Sequence, residues 1–397
     1  MKHTPVHFDN VWQAQFVDRP GRFIVRCRTD RGGLVQAFLP NPGRMRELLL
    51  RDVRLYLTEE PRSSTRASTR RTRHTVIGVE RDDRMIFLHT HKTNTLARYL
   101  IDNGMIADLA GAEIVASEVV VGRSRFDFLV RLRGRELYLE VKSCTLYGNG
   151  VAMFPDAVTS RGRKHLIELA ALSKPGARHV VLFVVHTPCV RWFMPDYHTD
   201  LAFSETLLEV REQLQILPVA VGWNSDFTIA PEVRTLDIPW SHLHREVQDR
   251  GGYLLILHLR GRQRLTVGAL GDILLLAGYY VYVGSAMRSL GPRIERHLRR
   301  RKKFHWHIDY LRQVADSVVA LPVRCSTRRE CDMAVSLGSI LDAGPPGFGS
   351  SDCRCPTHLF HSEADPLNSR EFHAVLQHFR MVNPTLDLSG NAHRYSW

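Results

Sequence analysis

The sequence predicts a multidomain chain of α/β and α+β class. A small β-barrel fills residues 1–75, and a mixed α/β domain fills 76–235. A linker follows over 236–250, then an α+β domain over 251–362 and a tail over 363–397. Three observations lead to this. Short apolar runs broken by turn residues occupy the first 75 residues. Strand-like and helix-like patterns then alternate, which indicates layered α/β structure. A fresh strand pattern starts at Gly251, after a stretch with Pro239, two histidines and few sustained apolar positions.

The barrel strands are expected at 22–28, 33–39 and 53–58. Pro40-Asn41-Pro42-Gly43-Arg44 forms a turn, and a short helix is expected at 45–50. In the second domain, helices are expected at 95–103, 162–172 and 204–213, with strands at 180–185 and 217–221. In the third, Leu290, Ile294 and Leu298 fall at i, i+4 and i+8, one stripe of a helix. Arg293, Arg296 and Arg300 flank that stripe.

Charge points to a polyanionic partner. The net charge is +13 and the pI about 9.7. Residues 62–73 hold five arginines and no acid, and 288–303 hold eight Lys/Arg against Glu295 alone. A local basic excess on a basic protein indicates nucleic acid. The longest apolar stretch, 273–283, is too short to cross a bilayer, so no membrane partner is expected. Seven cysteines, an odd count, and a start without an apolar signal core fit reduced thiols in the cytoplasm.

The most informative segment runs from Ser124 to Ser143. Its alternation reads as two antiparallel strands broken at Gly134-Arg135. A turn centred there sets Asp127 opposite Lys142, with Glu140 two residues from Lys142 on the same face. An Asp, a Glu and a Lys on a hairpin usually form a solvated face with weak ion pairs. Here Phe128, Val130, Leu132, Leu137, Leu139 and Val141 bury the strands, and carboxylates near a core edge need a partner or a metal. Paired carboxylates suit Mg²⁺ or Mn²⁺, and an adjacent lysine can orient or deprotonate a water. This is the layout of a PD-(D/E)xK nuclease site.

Residues 1–230 resemble the sugar fermentation stimulation protein A family. The resemblance rests on Leu39-Pro-Asn-Pro-Gly-Arg-Met45, Thr93-Asn-Thr95, Ser124-Arg-Phe-Asp127, Leu139-Glu-Val-Lys-Ser143, Met153-Phe-Pro-Asp-Ala157 and Arg161-Gly-Arg-Lys-His165. It implies an N-terminal OB-like barrel, a PD-(D/E)xK-like domain and DNA binding. Ser160 stands where the pattern leads one to expect an acidic residue. Candidate DNA contacts in this region are Asn41, Arg44, Arg70, Arg71, Arg73, Arg125, Arg161, Arg163 and Lys164.

Residues 251–362 resemble the Uri-like branch of the GIY-YIG endonucleases. The matching text is Gly251-Gly-Tyr-Leu254, Tyr282-Val-Gly-Ser-Ala286, Arg293-Ile-Glu-Arg-His297, His305-Trp-His-Ile-Asp-Tyr310, Glu330-Cys331 and 347–355. The resemblance implies that Tyr253 and Tyr282 are paired active-site tyrosines, that Arg293 faces phosphate and that Glu330 binds metal. Arg296 and Arg300 add candidate DNA contacts. The spacing Cys353-x-Cys355-x2-His358 offers three zinc ligands without a clear fourth.

The sequence is compatible with two functions. One is a metal-dependent DNA endonuclease, with Asp127, Glu140 and Lys142 as its catalytic set. The other is a non-catalytic DNA-binding regulator, which a basic surface and an OB-like barrel suffice to make, tied by the family name to genes of sugar metabolism.

Overall fold

The structure is a computed structural model and describes residues 6, 8–59, 72–174, 176–224 and 226–384. Arg70, Arg71 and most of the basic run 62–73 therefore lie outside the described residues. The chain divides into two compact units. One runs through Asp196 and includes Ala202–Pro239; the other comprises Tyr197–Leu201 and the residues from Trp240 on.

The first unit opens with β1 (Trp12–Gly21), β2 (Ile24–Arg28), β3 (Leu34–Phe38), β4 (Arg54–Glu59), β5 (His74–Arg81) and β6 (Arg84–Phe87). The strand order β3-β2-β1-β4-β5 closes through a parallel β3–β5 pairing, Ala37 with His74 and Phe38 with Thr75. This is a five-stranded, OB-like closed barrel. Irregular register around Asp18 bends β1, which pairs with β2 at one end and β4 at the other. Val25, Cys27, Ala37, Leu55, Leu57, Val76 and Val79 fill the interior. Strand pairing runs on to Phe87, past the expected limit at residue 75, because β5 pairs with β4 of the barrel and β6 pairs with β5. Residues 45–50 form turns instead of the expected helix: the N–H groups of Leu48 and Leu49 both bond to the Met45 carbonyl, and Met45 has a positive φ of 48°.

The α/β part continues with α1 (Thr93–Asp102), β7 (Glu113–Val121), β8 (Ser124–Leu132), β9 (Arg135–Cys144), β10 (Leu146–Gly148) and β11 (Val151–Phe154). Then come α2 (Ser160–Leu172), β12 (His179–Val185), β13 (Trp192–Pro195), α3 (Leu201–Glu209), β14 (Leu214–Trp223) and β15 (Ile229–Thr235). The main sheet has the order β15-β14-β12-β9-β8-β7, with β9, β12 and β14 parallel. Its all-buried strand β12 follows from a run of Val, Leu and Phe, as a central parallel strand requires. On one face α1 packs Leu96, Ala97 and Leu100 against Leu139 and Val141. On the other, Leu166 and Leu169 of α2 join a core that is continuous with the barrel interior.

Two of the sequence motifs meet in this shared core. The Asp156 carboxylate accepts the Met45 N–H at 3.1 Å. A Cβ on Gly43 would collide with that carboxylate, so the turn needs glycine there. Arg19 clamps the same turn by donating to the carbonyls of Asn41, Gly43 and Arg44.

The second unit comprises α4 (Trp240–Glu246), β16 (Gly251–Leu259), β17 (Gln263–Thr266), β18 (Asp272–Leu275), β19 (Gly278–Ala286), α5 (Leu290–Leu298) and α6 (His307–Val314). It ends with β20 (Ser317–Arg324), α7 (Glu330–Gly338), β21 (Asp342–Ala343), β22 (Leu359–Ser362) and α8 (Arg370–Arg380). A five-stranded sheet, β20-β16-β19-β22-β21, carries α5 and α6 on one face and α7 and α8 on the other. The β17–β18 hairpin inserts between β16 and β19 and lengthens the gap from Tyr253 to Tyr282. The expected linker holds α4, whose Leu243 is buried and whose Glu246 accepts the Ser326 N–H and hydroxyl, each at 2.7 Å. The expected tail holds α8, which buries Phe372, Val375, Leu376 and Phe379 at i, i+3, i+4 and i+7.

Candidate active site

The β8–β9 hairpin turns at Arg133-Gly134, not at Gly134-Arg135. Both turn residues have positive φ, 51° and 74°, the signature of a two-residue turn matched to strand twist. The pairs Leu132–Arg135 through Phe128–Leu139 fix the register two residues away from the expected one. Asp127 is thus not set opposite Lys142; it precedes the last paired residue, Phe128, and the same register extended by one step would set it level with Glu140. A shift of two preserves the face, so Asp127, Glu140 and Lys142 still share a side of the sheet.

The ladder stops at Phe128–Leu139, and a side chain takes over its next bond. Asp127 Oδ2 accepts the Val141 N–H at 2.7 Å, and its Oδ1 accepts from Asn94 Nδ2, on the first turn of α1, also at 2.7 Å. Glu140, 4% exposed, is the deeper carboxylate. Its Oε1 lies 2.5 Å from Lys142 Nζ and 2.5 Å from His165 Nδ1 of α2. Its Oε2 is buried with no hydrogen-bond partner.

Burial pushes the Asp127 carboxyl up, and the Glu140 charge adds to this against the opposing Val141 N–H and Asn94. Burial acts the same way on Glu140. There the His165 hydrogen bond and the Lys142 ammonium outweigh it and hold the carboxyl below its ordinary value. Two facing carboxylates, one destabilised by the other and one with an orphaned buried oxygen, are a donor set that fits a hard divalent cation.

His165 and Asn94 stand in motifs of the sequence without an assigned role, and their contacts span 25 and 33 residues. Thr159 caps α2 by accepting the Gly162 N–H at 3.0 Å, which fixes the helix that carries His165.

The candidate DNA contacts divide into two kinds. Arg44, Arg73, Arg125, Arg161, Arg163 and Lys164 are exposed. Of these, Arg125 sits 3.5 Å from Glu118, Arg163 donates to Thr206 Oγ1 at 2.9 Å and Lys164 lies 3.6 Å from Glu168. Asn41 differs from expectation. It is 5% exposed, accepts the Gly43 N–H at 2.9 Å and donates to the Leu88 carbonyl, so it builds the turn instead of reaching a ligand. Arg296 also turns inward: its guanidinium grips both oxygens of Asp309, at 3.1 and 2.9 Å. Arg300 is exposed and donates to the Gln313 carbonyl at 2.9 Å, and Arg288, Arg299, Arg301 and Lys303 are exposed as well.

In the second unit, Tyr253 and Tyr282 lie on adjacent strands with ring centroids 6.4 Å apart. Both point to the α5/α6 face, and both are buried, at 2% and 6% exposure. The Tyr253 hydroxyl pairs with His297 Nε2 at 2.9 Å, and its ring fills the space a side chain at Gly284 would need. Burial pushes both phenols up, that of Tyr282 well above its ordinary value. Arg293 stacks on Trp306 at 4.3 Å and acts electrostatically on Tyr253. Glu330 enters from the α7 side. It accepts from Ser285, and its Oε1 lies 3.3 Å from His358 Nδ1. The tyrosines and Arg293 thus gather, and the Glu330 charge acts on both phenols without a hydrogen bond to either.

Three family models match the chain: "SfsA N-terminal OB domain" over residues 17–88, "Sugar fermentation stimulation protein RE domain" over 91–227 and "Domain of unknown function DUF123" over 252–381. Relatives described as "Sugar fermentation stimulation protein homolog" include one from Clostridium kluyveri, 35% identical over 51% of this chain and 86% of its own length. Another, from Methanothermobacter thermautotrophicus, is 32% identical over 58% of this chain and 95% of its own. That of Moorella thermoacetica is 37% identical over 50% and 84%. A solved structure described as "The structure of Pyrococcus Furiosus SfsA in complex with Ca2+" matches with a TM-score of 0.53 and 25% identity, covering 59% of this chain and 99% of that one.

Proposed function

The chain belongs to the sugar fermentation stimulation protein family, and from that premise we propose that it binds DNA and hydrolyses phosphodiester bonds with a divalent metal at Asp127 and Glu140. The single observation that carries this reading is the orphaned, buried Glu140 Oε2 beside a carboxylate whose ionisation Glu140 itself opposes. The solved relative described with Ca²⁺ supports it, since Ca²⁺ is a hard, oxygen-seeking cation like Mg²⁺ and Mn²⁺.

Bound there, Mg²⁺ or Mn²⁺ would polarise a phosphate oxygen and lower the pKa of a water. The chain's own residues supply the rest. Asn94 and the Val141 N–H hold Asp127 in one orientation. His165 and Lys142 anchor Glu140 through Oε1, which leaves Oε2 for the cation. Lys142, partly exposed beside this pair, would orient the attacking water or stabilise the charge that develops on phosphate. The exposed arginines of the barrel, of α2 and of the segment after α5 would hold the DNA backbone.

A second reading, DNA binding without cleavage, is favoured by two features. Ser160 replaces an expected acidic residue at the start of α2. The tyrosines of the second unit are buried, and the nuclease proposal is made for the first unit. Calorimetric titration of the full chain with Mn²⁺ tests the site itself. The proposal expects saturable binding that Asp127→Asn and Glu140→Gln each abolish; a wild-type chain that binds no Mn²⁺ refutes it.

A further inference from the structure

We infer that Cys331, Cys353, Cys355 and His358 form a zinc site that fastens the loop before β22 to α7, with Glu330 as the outer partner of the histidine. The inference concerns side chains of the second unit alone and does not depend on DNA cleavage.

The four side chains each offer one ligand atom, and all four atoms lie within 4.8 Å of one another. Cys353 Sγ stands 3.4 Å from His358 Nε2. In a tetrahedral zinc site with Zn–S bonds of about 2.3 Å, neighbouring sulfurs are roughly 3.8 Å apart. Closing the cluster onto an ion therefore takes movements of about 1 Å or less, which is within side-chain reach. Three cysteines and one histidine are a closed structural set with no open position for a substrate.

The spacing Cys353-x-Cys355-x2-His358 supplies three ligands, and the fold supplies the fourth. Cys331 sits in the first turn of α7, 22 residues before Cys353, where no spacing rule would find it. His358 is 1% exposed and uses its two nitrogens differently. Nε2 faces the thiols, while Nδ1 lies 3.3 Å from Glu330 Oε1, close but off the straight hydrogen-bond line. A carboxylate behind a ligating histidine fixes the tautomer that presents Nε2 to metal.

The site has something to hold. Residues 344–358 form neither helix nor strand, yet Gly349 in this stretch lies against the Tyr282 ring. A metal tying this stretch to α7 would fix the backbone that packs on the Tyr282 ring. Zinc entering as Zn²⁺ displaces the three thiol protons to solvent, and no oxidant is needed.

The test uses the full chain without a histidine tag, purified without chelator and kept reduced with a phosphine. Metal analysis should find about one zinc per chain, as one four-ligand site demands. Cys331→Ser and Cys355→Ser should each lose it while far-UV dichroism shows the chain still folded. Should the variants fail to fold, Co²⁺ exchanged into the wild-type chain gives the deciding reading. Intense tetrahedral bands with thiolate-to-cobalt charge transfer support the site, and a weak octahedral spectrum overturns it. A wild-type chain that neither carries zinc nor takes it up overturns the inference, as does a Cys331→Ser chain with full zinc. Glu330→Gln should weaken zinc binding by about 10–100-fold; unchanged affinity overturns its part.

Discussion

His165 Nδ1 lies 2.5 Å from Glu140 Oε1, the same oxygen that Lys142 Nζ reaches at 2.5 Å. One oxygen of the carboxylate is thus saturated and the other, Oε2, is left buried and unpartnered. The histidine comes from α2 and the carboxylate from the central strand β9, so the contact ties helix to sheet at the point where a cation would sit.

His165→Ala removes this anchor without touching a metal-binding oxygen. Mn²⁺ affinity should fall by about 10–100-fold, the usual loss when a ligand's outer partner is removed. Titration calorimetry reads it, with far-UV dichroism as the control for folding. Unchanged affinity would show that Lys142 alone orients Glu140.

The two carboxylates should respond oppositely to neutralisation in the metal-free chain. Glu140 has a depressed pKa when folded, so its contribution is present above its ordinary value of 4.5 and is lost as pH falls through the folded value. Asp127 is raised when folded, so its ionisation weakens the fold as pH rises through that value. At pH near 7 in EDTA, Glu140→Gln should cost about 2 kcal/mol, the worth of charge-assisted bonds lost in a buried site. Asp127→Asn should leave the chain at least as stable as wild type. Denaturant melts check both signs; a large loss for Asp127→Asn would mean that its bonds to Asn94 and Val141 outweigh the repulsion.

Much of this architecture was legible in residue patterns, and the misses have identifiable physical causes. Alternation located β8 and β9, and the run of Val, Leu and Phe located β12. The hairpin register was misplaced because a turn at Arg133-Gly134 puts an arginine at positive φ, which local pattern does not announce. The roles of His165, Asn94 and Cys331 depend on contacts across more than twenty residues, beyond any spacing rule. Asn41 misled because an exposed-looking Pro-Asn-Pro-Gly turn is clamped by Arg19 and buried. The apolar stripe of α8 is present in the sequence at i, i+3, i+4 and i+7, so the last residues carry a packed helix where a tail is expected.

Arg296 should behave as a structural residue. Burial works against the Asp309 charge, but His297, Arg296 and Lys302 outweigh it and hold the carboxyl far below its usual range. Asp309 is fully buried, so Asp309→Ala, which strands Arg296 and Lys302, should destabilise the chain by about 3–5 kcal/mol. Arg296→Ala should lower stability more than it lowers DNA affinity, read by parallel thermal melts and fluorescence anisotropy. A variant of normal stability with weakened DNA binding would restore the nucleic-acid role expected for it.

The basic surface should make DNA binding strongly salt-dependent and weakly sequence-selective. If about 5 phosphates are neutralised on a duplex, log K should fall against log salt with a slope near −4 to −5. Replacing the exposed Arg299, Arg301 and Lys303 together with alanine should flatten that slope by up to about 3 if each contacts a phosphate. Binding that ignores salt would contradict an electrostatic interface.

The most direct measurement is the fate of a supercoiled plasmid and of a single-stranded DNA incubated with the full chain in Mg²⁺, in Mn²⁺ or in EDTA, beside Asp127→Asn, Glu140→Gln and Lys142→Met. The account predicts nicked or linear product, or shortened single strands, with metal and wild-type protein only. EDTA and each substitution should reduce the rate by at least about 100-fold, the scale on which removing one positioned catalytic group acts. Intact DNA under every condition, with Mn²⁺ and DNA both bound, would contradict catalysis and leave a DNA-binding protein; cleavage that survives all three substitutions would place the active site elsewhere.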